Sequence, residues 1–221
     1  MSGPALIVIA KAPVPGRSKT RLCPPCSAEQ AAALADAALR DTLAAVAEAP
    51  AARRVVALEG ETGSWLPASV EVVRQRGGRL GERLAGAFED VGGPAFLVAM
   101  DTPQLTAALL GEALARLQAP GTDAALAPTL DGGYWGIGLR RPDPAVFAGV
   151  PMSSRLTFAA QAEQLRALGL RTAALDPLTD VDTIADARAV ARAAPETRFA
   201  AAVRASGHSA HDGQAVAEPA A

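Results

Sequence analysis

Two hydrophobic rhythms alternate along the chain. Short apolar runs read as strands: Ala5–Ala10 (ALIVIA), Arg53–Leu58 (RRVVAL), Val70–Gln75 (VEVVRQ), Ala95–Met100 (AFLVAM), Asp123–Ala127, Tyr134–Leu139 (YWGIGL) and Leu170–Leu175. The first and AFLVAM are unbroken enough to be buried on both faces. Between the runs the apolar spacing becomes helical. Ala28–Glu48 places Leu34, Leu39, Leu43 and Val46 on or near one face. Further helices are predicted over Leu80–Val91, from Thr106 through Leu117, over Thr157–Leu168, and from Asp180–Thr183 to a last helical residue at Ala193. The punctuation agrees: Ser27 is placed to cap a helix, Pro50 ends one, and Gly77–Gly78 and Gly92–Pro94 break the chain.

Strand–helix alternation of this kind predicts an α/β fold: one domain with three layers, α/β/α, around a mostly parallel, Rossmann-like sheet. Ligands of such sheets bind beyond the carboxyl ends of the strands. The domain is expected to span residues 1–204. After Arg204 the sequence ASGHSAHDGQAVAEPAA has no period and little apolar bulk, so residues 205–221 are expected to form a disordered tail.

Composition narrows the function. The chain has 221 residues, half of them hydrophobic, and a formal net charge of −2, which leaves no basic surplus for a nucleic-acid polymer. No apolar run exceeds strand length, and Lys11 interrupts the first one, so neither a membrane span nor a signal peptide is expected and the location is taken as cytoplasmic. Cys23 and Cys26 are too few for a disulfide framework. With His208 and His211 they complete a nominal zinc set, but the separation is far beyond zinc-finger spacing, and both pairs are read as non-functional.

Against this neutral background one stretch is strongly basic. Lys11–Leu22 (KAPVPGRSKTRL) follows the first strand and carries Lys11, Arg17, Lys19 and Arg21. Such a loop, stiffened by Pro13 and Pro15 and opened by Gly16, reads either as a solvated basic turn or, preferred here, as a site for a phosphorylated ligand. It lacks the glycine spacing of a Walker loop. Asp101, at the end of AFLVAM and braced by Pro103, suits a hard divalent cation, Mg²⁺ or Mn²⁺, and reads equally as an N-cap for the helix that follows; the two readings are compatible. Asp131-Gly132-Gly133-Tyr134 reads either as a plain turn or as a substrate floor with bare amides. Asp180-Val181-Asp182-Thr183 reads either as a helix cap or as a metal-binding pair. Both histidines lie in the tail, so chemistry must rest on charge and positioning.

Taken in order, K-x-P-x-x-G-x-x-K-T-R-L, G-x-R, D-x-P-x-L, D-G-G-Y-x-x-I-G-L and D-V-D-T-x-x-D resemble the DUF2064 family from about Leu6 to Val190. The resemblance implies a GT-A-type nucleotide-diphospho-sugar transferase fold, often labelled glycosyltransferase, including proteins placed with radical-SAM/selenodomain systems or arsenosugar biosynthesis. The same motif order looks like nucleotidyltransferases that activate 2-phospholactate or molybdopterin. By position it implies that Ala10, Lys11, Pro13, Gly16, Arg17, Lys19 and Arg83 contact the nucleotide. Lys19, Arg21 and Asp101 would be catalytic, and Asp101 with Asp182 would bind the metal. Asp131, Gly132, Gly133 and Tyr134 would border the acceptor. The chain departs from the pattern at Ala99-Met100, at Arg79, and at Met152-Ser153-Ser154.

The expected function is a metal-dependent transferase with a nucleotide-activated donor. Nucleotidyl transfer from an NTP to a phosphorylated small molecule is preferred, because the loop suits the charge of a triphosphate. Glycosyl transfer from an NDP-sugar is the alternative, and a non-catalytic nucleotide-binding protein the second. Nucleotide and small acceptor are the expected partners, with a homodimer left open.

Overall fold

A computed structural model of the protein describes residues 3–208. Seven strands, β1 (Ala5–Lys11), β2 (Arg53–Glu59), β3 (Glu71–Arg74), β4 (Ala95–Ala99), β5 (Ala124–Pro128), β6 (Tyr134–Leu139) and β7 (Thr172–Ala174), form one sheet in the order β3-β2-β1-β4-β6-β5-β7. Every pairing is parallel except those of β6, which runs antiparallel to both β4 and β5. The start of β6 therefore lies at the edge of the sheet where β1 and β4 end.

Among the described residues there are six helices, α1 (Ala28–Glu48), α2 (Leu80–Val91), α3 (Ala107–Gln118), α4 (Thr157–Ala167), α5 (Ile184–Ala193) and α6 (Arg198–Ala205); the first four flank the sheet, and α5 and α6 pack with α1. Side chains of a strand alternate between its faces, and the core divides accordingly. Leu6, Val8, Val56, Phe96 and Val98 pack with α1 and α3 through Leu39, Leu43, Leu110 and Leu117. Ile7, Val55, Leu97 and Ile137 pack on the other face with α2 and α4 through Leu84, Phe88 and Leu165. This is the expected three-layer α/β/α arrangement. Among the described residues no helix is long and apolar enough to cross a membrane.

The helix boundaries follow local chemistry. Ser27 caps α1 through a reciprocal box with Gln30, as its position before an Ala-rich run predicts. Thr106 caps α3 by accepting from the Leu109 amide. The glycines of β6 answer to packing rather than to a ligand. A Cβ at Gly136 would lie 2.5 Å from the Phe96 ring, and one at Gly138 would lie 2.7 Å from it.

One element differs from expectation. α5 ends at Ala193 as expected, but it is not the last helix: after Pro195 the chain forms α6, capped by Thr197. Asp41, buried in the middle of α1, accepts from the backbone amides of Arg198 (3.2 Å) and Phe199 (2.8 Å) and so fixes the start of α6. Phe199 and Val203 then close a third apolar cluster with Leu34, Val181 and Val190. Eight residues are too few to show a period, and the carboxylate that anchors them is 157 residues away in sequence. Beyond α6, the Ser206 carbonyl accepts from Gln30 and the His208 carbonyl from Arg188. Residues 209–221, which include His211 and most of the expected tail, lie outside the described residues.

Candidate functional site

The basic stretch leaves β1 at Lys11 and folds back on itself. The Ser18 hydroxyl donates to the Ala12 carbonyl and accepts from the Val14 amide, both at 3.0 Å. Gly16 adopts φ +72°, where an added Cβ would touch nothing; the turn needs its backbone freedom rather than its small size. Lys19 takes the left-handed region as well, with φ 49°, before a short 3-10 turn at Thr20–Leu22. This turn aims Lys19 back across the end of the sheet.

There Lys19 meets two segments distant in sequence. Its ammonium donates to Asp101 Oδ2 at 2.7 Å, to Asp182 Oδ1 at 3.4 Å and to the Val181 carbonyl. Arg21 donates to Asp182 Oδ2 at 2.6 Å. Burial, the largest single influence on Lys19, favours the neutral amine. Asp101 and then Asp182 outweigh it and raise its pKa above the ordinary value.

The segment 178–182 is held at this edge by its backbone. The Leu178 amide donates to the Pro128 carbonyl, the Leu130 amide to the Leu178 carbonyl, and the Val181 amide to the Asp101 carbonyl, all at 3.1 Å. Val181 is 1% exposed and points into the third apolar cluster. Its neighbours Asp180 and Asp182 consequently turn outward on the same side. Asp131 arrives from the β5–β6 turn, its Oδ1 accepting from the Thr129 hydroxyl (2.6 Å) and the Gly133 amide (2.9 Å).

Asp131, Asp180 and Asp182 each bring a carboxylate oxygen within 4.8 Å of the other two. An all-oxygen set of this kind fits a hard divalent cation such as Mg²⁺ or Mn²⁺. Electrostatics agree with that fit. Burial first, then the charges of Asp101, Asp131 and Asp182, push the Asp180 carboxyl up to about 7. Asp186 has a different role: it closes a capping box with Thr183 at the start of α5.

Two cavities meet here. One of about 600 Å³ has an apolar floor that includes Ile9, Leu84, Tyr134 and Met152, and it contains the acid cluster. The other, about 440 Å³, is lined by Lys11, Arg17, Lys19 and Arg21. Arg21, Asp101, Ser153 and Asp182 line both. Ser153 sits at the junction with φ 57°, a strained conformation for a non-glycine residue. A third cavity of about 470 Å³ lies on the far side of the basic loop, against Glu59–Gly63 and Trp65, and shares Lys11 and Arg17 with the second.

The structure thus gathers Lys11, Pro13, Arg17, Lys19, Arg21, Asp101, Asp131, Gly133, Tyr134 and Asp182 around connected cavities. Four other expected residues, Ala10, Gly16, Arg83 and Gly132, do not line them. The Ala10 carbonyl accepts from Gln75 Nε2, and Arg83 donates to Glu59 Oε2 at 2.8 Å and Gln75 Oε1 at 3.2 Å; neither residue lines these cavities. Gly132 packs behind the wall, where a Cβ would lie 2.2 Å from the Arg155 carbonyl oxygen. Tyr134 is set in the floor, its hydroxyl donating to Gln161 Oε1 at 3.3 Å, and burial raises its pKa. Asp180 received no individual role from the sequence. The alternation Asp-Val-Asp, with the apolar residue buried, was the signal for it.

The sheet, parallel but for one reversed strand and covered on both faces, defines the class of fold: GT-A-like α/β. The chain belongs to the DUF2064 family, described as uncharacterized proteins conserved in bacteria, whose profile matches residues 42–154. The match includes Asp101 and Asp131 but neither the basic loop nor the Asp180–Asp182 segment.

Among solved structures, a protein described as a candidate nucleotide-diphospho-sugar transferase from Desulfovibrio desulfuricans G20 is 28% identical. It has a TM-score of 0.83 over 94% of this chain and 96% of that one. Two more distant structures share the fold. 2-C-methyl-D-erythritol 4-phosphate cytidylyltransferase from Thermus thermophilus is 16% identical, with a TM-score of 0.52 over 94% of this chain and all of that one. A nucleotidyl transferase from Methanothermobacter is also 16% identical, with a TM-score of 0.55 over 83% of this chain and 94% of that one. No curated protein matches this chain in sequence.

Proposed function

We propose that the protein is a metal-dependent transferase acting on a nucleotide-activated donor, and that it transfers a nucleotidyl group from an NTP to a phosphorylated small molecule. The observation that carries this reading is the junction itself. A cavity walled by Lys11, Arg17 and Arg21 opens into one that holds three clustered carboxylates, and the two share Arg21, Asp101, Ser153 and Asp182. Arg17 has no ion-pair partner among the described residues, which leaves its guanidinium available for phosphate oxygens. A triphosphate brings more charge to such a wall than a nucleoside diphosphate does.

In this reading Lys11, Arg17 and Arg21 bind the β- and γ-phosphates and favour departure of pyrophosphate. The acceptor lies over Tyr134 and Met152 with its phosphate oxygen directed at the α-phosphorus; the new P–O bond forms as the bond to pyrophosphate breaks. Asp131, Asp180 and Asp182, with Asp101 beside them, would hold the divalent cation. When bound, it would neutralise charge on the α-phosphate and the leaving group.

The name of the Desulfovibrio relative favours a second reading, in which the same edge binds an NDP-sugar and a glycosyl group moves to an acceptor hydroxyl. Binding of NTPs and NDP-sugars, measured by calorimetry with and without Mg²⁺, separates the two. Mg²⁺-dependent binding of an NTP, followed by acceptor-dependent pyrophosphate release, is the expected result. Selective NDP-sugar binding supports glycosyl transfer instead. Binding without turnover or metal dependence identifies a non-catalytic nucleotide-binding protein and overturns both.

A further inference from the structure

The loop lysine best placed by sequence to hold a phosphate is fully engaged by protein. A lysine ammonium has three N–H donors. Those of Lys19 meet three acceptors: Asp101 Oδ2 at 2.7 Å, Asp182 Oδ1 at 3.4 Å and the Val181 carbonyl. Its side chain is only 13% exposed. The residue holds this position at the cost of left-handed backbone geometry, φ 49° and ψ 40°, on a side chain that is neither Gly nor Asn. Arg21, two residues on, is 66% exposed and spends one nitrogen on Asp182, so the next cation of the loop keeps donors free.

The charges around Lys19 show what it does there. Four carboxylates, Asp101, Asp131, Asp180 and Asp182, converge on this edge, and among the described residues the cations ion-paired to them are Lys19 and Arg21. Asp182 faces both ways: one carboxylate oxygen belongs to the three-acid cluster, while its two oxygens pair with Lys19 and Arg21. Asp101, the residue the sequence singles out for a metal, is instead occupied by the lysine.

We propose that Lys19 is the resident counter-cation of the acid cluster, a positioning residue that holds Asp101 and Asp182 together and competes with the divalent cation for them, rather than a ligand of the nucleotide phosphates. Phosphate binding then falls to Lys11, Arg17 and the free face of Arg21. Metal binding is antagonised by Lys19, and Asp101 is released to the cation only when the ammonium withdraws. The inference rests on the proposed metal and phosphate sites but adds a sign that they do not: removing this cation strengthens metal binding.

The test uses the full chain without nucleotide. Mn²⁺ binding is followed by electron paramagnetic resonance in the wild type, Lys19→Met and Lys19→Arg. Circular dichroism verifies that each variant is folded, and Lys19→Arg is the charge-preserving variant that decides if Lys19→Met does not fold. Lys19→Met is expected to bind Mn²⁺ at least about tenfold more tightly, because one positive charge has been removed beside the site. Lys19→Arg is expected to stay near wild type.

A second titration uses inorganic tripolyphosphate in EDTA, a probe that needs neither a base nor a metal. Lys19→Met should keep its affinity within about threefold, whereas a phosphate ligand would lose a charge-assisted hydrogen bond and with it more than about tenfold. Unchanged or weaker Mn²⁺ binding in Lys19→Met, tighter binding in Lys19→Arg, or a large loss of tripolyphosphate affinity overturns the inference while leaving the proposed function standing. If neither wild type nor Lys19→Met binds Mn²⁺, the inference and the metal dependence fall together.

Discussion

Gly132 offers the sharpest test of how the site is built, because it couples two loops without lining a cavity. In Gly132→Ala the new methyl would sit 2.2 Å from the Arg155 carbonyl oxygen, 2.8 Å from its carbon and 2.9 Å from its Cα. These are backbone atoms and cannot rotate away. To reach van der Waals separation, the 129–133 and 153–156 loops must part by about 1 Å, which a close-packed structure resists. The residue also sits at φ +97°, where an L-side chain costs roughly 1–2 kcal/mol. Parting the loops further strains the 2.9 Å bond from the Phe158 amide to the Gly132 carbonyl, worth about 1 kcal/mol. Together these give a loss of about 2–4 kcal/mol, or a fall in melting temperature of roughly 5–15 °C for a chain of this size. Asp131 lies next to the displaced residue, so its carboxylate should leave the cluster with Asp180 and Asp182, and Mn²⁺ affinity should fall with stability. Thermal denaturation by circular dichroism and Mn²⁺ titration measure the two effects. A melting temperature within about 1–2 °C of wild type would refute the packing inferred between these loops.

Three further outcomes follow from the same structure. Asp180 has a folded pKa of about 7 against an ordinary 3.8, so the metal-free protein should become less stable as pH rises from about 4 through 7, and level off above. Mn²⁺ affinity should rise over the same interval as the proton leaves, and Asp180→Asn should flatten both profiles; a wild-type affinity independent of pH between about 5 and 8 contradicts the clustering of these acids. Asp41→Ala leaves the Arg198 and Phe199 amides without their acceptor and should lower stability to urea by about 2 kcal/mol, with α6 losing amide-exchange protection first; unaltered exchange in α6 would count against the Asp41 anchor. Gly136→Ala drives a methyl to 2.5 Å from the Phe96 ring and should cost about 1–3 kcal/mol, of which Phe96→Leu in the same chain recovers a part; strict additivity of the two changes would show that no such contact exists.

Most of the architecture is written in local sequence. Ala5–Ala10, Ala28–Glu48, Leu80–Val91 and Tyr134–Leu139 carry period and punctuation strong enough to place their elements to within a residue or so. Strand–helix alternation then implies the three-layer sheet and the edge where ligands bind. The basic loop and Asp101 stand out for a similar reason: each follows an apolar run, so the strand that carries it also fixes which end of the sheet it reaches.

Other features depend on contacts no local window contains. α6 rests on Asp41, and Arg83 is engaged by Glu59 and Gln75. Gly136 and Gly138 answer to Phe96 across the sheet, not to a substrate. The site divides along the same line. Its residue types can be read in order along the chain, because a strand end presents whatever follows it. Which carboxylates meet could not be read in that way. Asp131 joins Asp180 and Asp182 because the backbone of residue 178 bonds to residues 128 and 130. Lys19 faces Asp101 and Asp182 because a left-handed turn sends it 82 and 163 residues away in sequence. Charges act through space, so the chain specifies which groups are present, but only the folded backbone determines which neutralise one another.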